Sequence, residues 1–88
     1  MNDESRITNH ELQRDIIALV ARILKKPIEK VIPEANLFDE LGVDSLLGVE
    51  IFAALDKKYG VVIPDERLKE ITTLNDLVQL VAELRPSK

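Results

Sequence analysis

The chain contains no cysteine and no tryptophan, one histidine, two phenylalanines and one tyrosine. Without cysteine there are no disulfides, no thiolate metal ligands and no protein thiol to serve as a nucleophile. One histidine cannot build a clustered metal centre, so no metal site is expected. A Ser-His-acid arrangement could draw only on His10, which stands in the first turn of a candidate helix and reads as exposed and idle. Glycine occurs only at positions 42, 48 and 60, too far apart for a phosphate-cradling loop. Asp39, Glu40 and Asp44 lack calcium-loop spacing. No apolar run approaches the roughly 20 residues of a membrane-spanning helix. Met1 to Thr8 is polar and begins acidic, unlike a secretory leader. These absences lead to the expectation of a cytoplasmic protein, without a membrane span, that catalyses nothing unaided.

What is present is a core of aliphatic residues. The apolar fraction is 45% but aromatics supply only 3%, so Leu, Ile and Val must fill the interior. Eighty-eight residues suffice for one domain, expected over 1–88 with an ordered core at about 8–85, and leave no room for a second core. The net charge of −4 is unevenly spread. Between Val31 and Asp56 stand six acids and no lysine or arginine. A surface of that sign repels nucleic acid and attracts basic protein patches.

Apolar spacing lays out the elements. Thr8 and Glu11 have capping-box spacing, and Leu12, Ile16, Leu19 and Ile23, with Val20 beside them, recur at helical intervals until Pro27. From Pro27 to Val43 runs a connection longer than adjacent antiparallel helices require. Its Ile28, Val31, Ile32, Leu37, Phe38 and Leu41 predict that it packs over the core. No strand partner is evident. Further on, Pro64-Asp65-Glu66 opens a brief helix reaching about Glu70. Thr72 or Thr73 then caps a last helix whose apolar set is Leu74, Leu77, Val78, Val81 and Leu84, with Pro86-Ser87-Lys88 expected to fray.

The stretch around which the chain is organised is Leu41-Gly42-Val43-Asp44-Ser45-Leu46. Gly42 marks a break, Asp44 and Ser45 are both strong N-cap residues, and Gly60 suits the left-handed position after a helix ending at Tyr59. That places the Ser45 hydroxyl at the positive end of a helix dipole, where a phosphate would meet oriented N–H groups. On a wheel of about 100° per residue, Gly48, Ile51, Phe52, Leu55 and Tyr59 form the core stripe of this helix. The opposite side carries Leu46, Glu50, Ala53 and Lys57, flanked by Leu47, Val49 and Ala54. Apolar residues mixed with acids on an outward face, beside Ser45, read as a docking surface for a partner.

Taken in order, Phe38-Asp39-Glu40-Leu41-Gly42-Val43-Asp44-Ser45-Leu46, Val49-Glu50, Tyr59-Gly60 and Ile63-Pro64-Asp65 resemble the acyl carrier protein family, over about Ile16 to Leu84. The resemblance implies an all-α fold: a small right-handed bundle of three main helices plus one short helix, with a long loop between the first two. It implies that Ser45 receives 4′-phosphopantetheine from coenzyme A, installed by a phosphopantetheinyl transferase that Asp44 helps to dock. The missing cysteine then makes sense, because the working thiol belongs to the cofactor. Acyl groups would ride as thioesters, in fatty acid synthesis or a specialised lipid or polyketide pathway. The partners implied are the transferase and acyl-transfer or synthase enzymes with basic docking patches, engaging a monomeric carrier. Asp44, Leu46, Leu47, Val49, Glu50, Ala53 and Asp56 are the expected docking residues. Gly48, Ile51, Phe52 and Leu55 are the expected acyl pocket, with Gly48 widening its entrance and Leu47 pointing outward. Family members serving fatty acid synthesis usually carry an acid where Leu47 stands and acids near Lys57 and Lys58, which points to different partners. An aminoacyl or peptidyl carrier, or an unmodified helical adaptor, are the alternative readings.

Overall fold

Helix α1 (Asn9–Leu24) turns Leu12, Ile16, Leu19 and Val20 wholly inward, with Ala21 beside them and Ile23 half-buried. The computed structural model describes residues 9–85, so the expected cap at Thr8 and the fraying of Pro86, Ser87 and Lys88 lie outside the described residues. Two residues before Pro27 the helix closes with Lys25 in the left-handed region (φ 60°), while the Lys26 N–H donates back to the Ala21 carbonyl at 3.0 Å.

The connection that follows holds one 3-10 turn, Ile28–Lys30, and no strand. Val31, Leu37, Leu41 and Val43 are buried, but Ile28 and Ile32 are 57% and 50% exposed and Phe38 is 49% exposed. The segment therefore packs on the core through only part of its apolar set. A chain in single turns can direct only some of its side chains inward, and around the 3-10 turn Val31 takes that position, leaving Ile28 and Ile32 outside.

The middle of this connection is tied to the start of α4 (Leu74–Leu84). A helix begins with four N–H groups that lack intrahelical partners, and in α4 all four are taken. Thr73 and Asp76 form a capping box, each side chain accepting from the other's N–H at 3.1 Å. The Leu74 N–H donates to the Ala35 carbonyl at 3.2 Å and the Asn75 N–H to that of Pro33 at 2.8 Å. The Thr73 and Thr72 N–H groups hold the Asp76 carboxyl below its ordinary pKa. One residue on, the Leu37 N–H donates to the Thr72 carbonyl at 2.9 Å, and Asn36 and Thr73 form an isolated bridge. Asn36 also organises its own turn. Its Oδ1 accepts from the N–H groups of Phe38 and Asp39, both at 2.9 Å, and its carbonyl from those of Glu40 and Leu41, both at 3.0 Å.

Helix α2 (Ser45–Tyr59) buries Ile51 and Leu55 fully and Phe52 and Tyr59 in part. It stops at Gly60, whose φ of 69° suits a residue without Cβ and whose N–H donates to the Asp56 carbonyl. Helix α3 is shorter than its sequence suggests, spanning Asp65–Leu68 rather than reaching Glu70. The N–H groups of Glu70 and Ile71 bond three residues back, to the carbonyls of Arg67 and Leu68, tightening the chain out of α-helical register. Arg67 ties α3 to α4 through a two-pronged contact with Glu83 at 3.1 and 3.2 Å, and its Nε holds Glu70 at 3.0 Å. Within α4, Leu74, Leu77, Val78 and Val81 are buried as their spacing predicts, and Leu80 joins them. α1 packs against both α2 and α4. The described residues thus form an all-α bundle of three main helices and one short one.

Two expectations test this packing. Removing the Asn36 side chain deletes two hydrogen bonds to backbone N–H groups, each worth about 0.5–1.5 kcal/mol. Asn36→Ala should therefore lower stability by about 1–3 kcal/mol in urea melts without changing the slope of the transition. Tyr59, the single tyrosine of the chain, buries its hydroxyl on the side of Asp15. Burial first, and then the charge of Asp15, push its pKa up to about 12, against a smaller opposing effect of Arg85. The native pKa being the higher, its contribution to stability is complete below pH 10 and is lost as pH rises towards 12. Alkaline titration followed by phenolate absorbance should give a native midpoint near 12, whereas urea-unfolded protein titrates near 10.

Candidate functional site

The N-terminus of α2 contrasts with that of α4. Asp44 is the N-cap, its Oδ1 accepting from the Leu47 N–H at 2.9 Å, and its carbonyl takes the first intrahelical bond, from the Gly48 N–H. Among the described residues no protein group accepts from the N–H groups of Ser45 and Leu46. Ser45 is the first helical residue and is exposed. Its hydroxyl therefore stands beside two free donors at the positive end of the helix. Of the two candidate caps in the sequence, Asp44 fills the role and leaves the Ser45 hydroxyl uncommitted.

The approach to this helix fixes its position. Gly42 takes a φ of 77°, a conformation other residues rarely adopt, although open space surrounds it. Val43 is then buried, with its N–H donating to the Leu37 carbonyl at 2.9 Å. The Gly42 turn and the buried Val43 both lead into Asp44, and the Ser45 that follows is exposed.

Beside Ser45 opens an apolar cavity of about 650 Å³. Gly48, Ile51 and Phe52 line it, together with Ser45, Asp44 and Val49 from the same helix. Leu55 does not. It lies a turn further along, wholly buried in the packed core. The rest of the wall comes from Leu37, Phe38 and Val43 of the long connection, Ile63, Leu68 and Ile71 around α3, and Leu77 of α4. Their hydrophobicity marks these residues as core candidates in the sequence, but nothing in their spacing says that they surround a space. Only the assembly of four segments does that.

The outward face of α2 carries Leu46 and Val49, 69% and 64% exposed, with Glu50, Ala53 and Asp56 also exposed and Asp44 at its head. Phe38, which lines the cavity with Val49, adds apolar area that wheel analysis of one helix could not find. Leu47 departs from its expected outward position. It is half-buried and packs against the core, as does Ala54. Lys57 and Lys58 close the helix with positive charge, and Lys58 Nζ stands 5.6 Å from the Tyr59 ring centre.

This geometry suits a phosphodiester on a flexible arm. The serine oxygen is accessible, free N–H groups face an attached anion, and an apolar cavity opens alongside. Comparison with known proteins agrees. A family described as "Phosphopantetheine attachment site" matches residues 14–81. The acyl carrier protein of Helicobacter pylori strain G27 is 40% identical over 72 residues, covering 82% of this chain and 92% of that one. That of Thermosynechococcus vestitus is 38% identical over 71 residues, with 81% and 88% covered. That of Syntrophobacter fumaroxidans is 39% identical over 72 residues, with 82% and 89% covered. Among solved structures, the apo doublet acyl carrier protein from prodigiosin biosynthesis superposes with a TM-score of 0.74 at 19% identity. It covers 89% of this chain, which spans only 38% of it, and it bears on the fold alone.

Gly48 permits a direct test of how full the site is. A Cβ placed there would meet only Val43 Cγ1, at 3.9 Å, an ordinary contact. Since glycine inside a helix is less stable than alanine by roughly 0.5–1 kcal/mol, Gly48→Ala should raise the stability of the unloaded protein by about that amount. A urea melt measures it, and a loss of stability would show that the position is tightly packed.

Proposed function

As a member of the acyl carrier protein family this chain is a non-catalytic carrier of 4′-phosphopantetheine, and we propose that Ser45 is the residue that bears it. The observation that carries this reading is the open N-terminus of α2 beside the cavity. The helix beginning nearby, α4, has every early donor engaged, whereas α2 leaves two unused at an exposed hydroxyl. The arm supplies the thiol that holds acyl groups as thioesters, a thiol absent from the cysteine-free chain. Ser45 provides the oxygen, the neighbouring N–H groups stabilise the phosphodiester charge, and the cavity shields an apolar chain from water.

The cargo we infer is an acyl intermediate of fatty acid synthesis or of a specialised lipid or polyketide pathway. The largely apolar lining supports an acyl rather than an aminoacyl group, because its one carboxylate, Asp44, stands at the helix start and the deeper walls of Ile51, Leu68, Ile71 and Leu77 offer an ammonium no partner. The docking surface is built from Asp44, Leu46, Val49, Glu50, Ala53 and Asp56, and its acids suit enzymes with basic patches, the phosphopantetheinyl transferase among them. The short acidic face, ending in Lys57 and Lys58, and the uncharged Leu47 support a dedicated partner set and hence a specialised pathway. A monomer acting in the cytoplasm is the corresponding working state.

The test is intact mass after co-expression with a phosphopantetheinyl transferase. The parent should gain one 4′-phosphopantetheinyl group and Ser45→Ala none. The alanine variant should keep its stability within about 0.5 kcal/mol, since Asp44 rather than Ser45 caps the helix. A parent that stays unmodified would favour an unmodified adaptor, and a modified alanine variant would move the site elsewhere.

A further inference from the structure

Neither packing nor backbone geometry accounts for glycine at position 48. The positive φ angles among the glycines belong to Gly42 and Gly60, so Gly48 has ordinary helical backbone. Its missing Cβ would touch one methyl carbon of Val43 at 3.9 Å and crowd nothing. Glycine weakens the helix it occupies. What it supplies in return is space, and that space has a definite place. Gly48 is three residues from Ser45, on the same side of α2, is partly exposed, and lines the cavity together with Ser45, Val43 and Phe38.

We infer that Gly48 is a specificity-determining residue, keeping the passage from Ser45 into the cavity wide enough for acyl chains branched or cyclic close to the thioester carbonyl. The inference rests on the reading of Ser45 as the attachment residue and of the cavity as the place where the chain is held. A chain tethered at its carbonyl enters tail first. Its distal carbons then lie against Ile51, Leu68, Ile71 and Leu77, and its first carbons remain at the mouth. A straight chain has the same width along its length and gains nothing from extra room there. A chain with a substituent near the carbonyl has its widest part at the mouth. A valine at position 48 would place its methyl groups beyond the point where a Cβ already contacts Val43, narrowing the entrance while leaving the deeper walls as they are.

The experiment loads the pantetheinylated protein with a straight octanoyl group or with an α-methyl-branched acyl group of equal carbon count, in the parent, Gly48→Val and Gly48→Leu. Two quantities are read: the upward shift of the thermal midpoint on loading, and the rate of thioester cleavage by hydroxylamine. In the parent, both cargoes should raise the midpoint and slow cleavage to similar extents. Gly48→Val should keep the straight-chain shift, which also shows that it is folded, and should cleave the branched thioester about tenfold faster than the parent does, the discrimination one misplaced methyl commonly brings. Gly48→Leu should lose more of the branched-chain protection. Equal behaviour of the two cargoes in Gly48→Val, whether both protected or both exposed, would overturn the inference. So would a parent that shields the straight chain but not the branched one, which leaves the Ser45 reading standing. A parent that attaches the arm at Ser45 yet shields neither cargo would remove the cavity's role and this inference with it.

Discussion

The structure depends on a seam of backbone hydrogen bonds between residues 33–37 and the first turn of α4. A connection of seventeen residues from Pro27 to Val43 carries a large conformational entropy, and a single 3-10 turn does little to order it. The carbonyls of Pro33 and Ala35 reach N–H groups of α4, and the Leu37 N–H reaches back to Thr72. Each side thereby satisfies what the other lacks: the connection gains fixed partners, and the helix start loses its orphan donors. Asn36, between those contacts, bends the chain so that Leu37 and Leu41 enter the core and Gly42 can turn towards α2.

From that anchoring follows an asymmetry between two helix starts. Two helices begin near the same connection, but one start is closed by backbone carbonyls and a capping box and the other is left partly open. An unengaged N–H pair in water is unexceptional, because water satisfies it. Here it lies next to an exposed serine hydroxyl and an apolar cavity, the setting on which the proposal for Ser45 stands. The cavity has the same origin. Its walls come from the connection, α2, the α3 region and α4, segments that only the tertiary fold brings together.

Electrostatics divide the labour along α2. Asp44 heads the helix and Lys57 and Lys58 end it, an arrangement that would draw a basic partner towards Ser45 rather than towards the far end. In the docking role proposed for this face, affinity would come from the exposed apolar residues Leu46, Val49 and Phe38, and the charges would set orientation and encounter rate. Leu47, set half into the core, belongs to the packing of the helix as much as to its surface.

How much of this was legible in the chain differs by element for physical reasons. Helix positions follow from local signals, and α2 begins at Asp44-Ser45 and ends before Gly60 because capping and the left-handed turn are decided by neighbouring residues. The aliphatic core of α1 and α4, the absence of side-chain nucleophiles of the thiol type, and the serine as the one distinctive hydroxyl follow from residue identity and spacing in the same way. The orientation of Leu47, the exposure of Ile28 and Ile32, the early end of α3 and the exclusion of Leu55 from the cavity do not, because each depends on what another segment covers. The openness of the α2 start is of this second kind. A cap sequence shows which donors a side chain can take, but only the packed structure shows that backbone from residues 33–37 reaches α4 and leaves Ser45 and Leu46 unengaged. One sequence determines where a helix begins; the tertiary fold decides which of its free groups remain for a ligand, since those contacts join residues far apart in the chain.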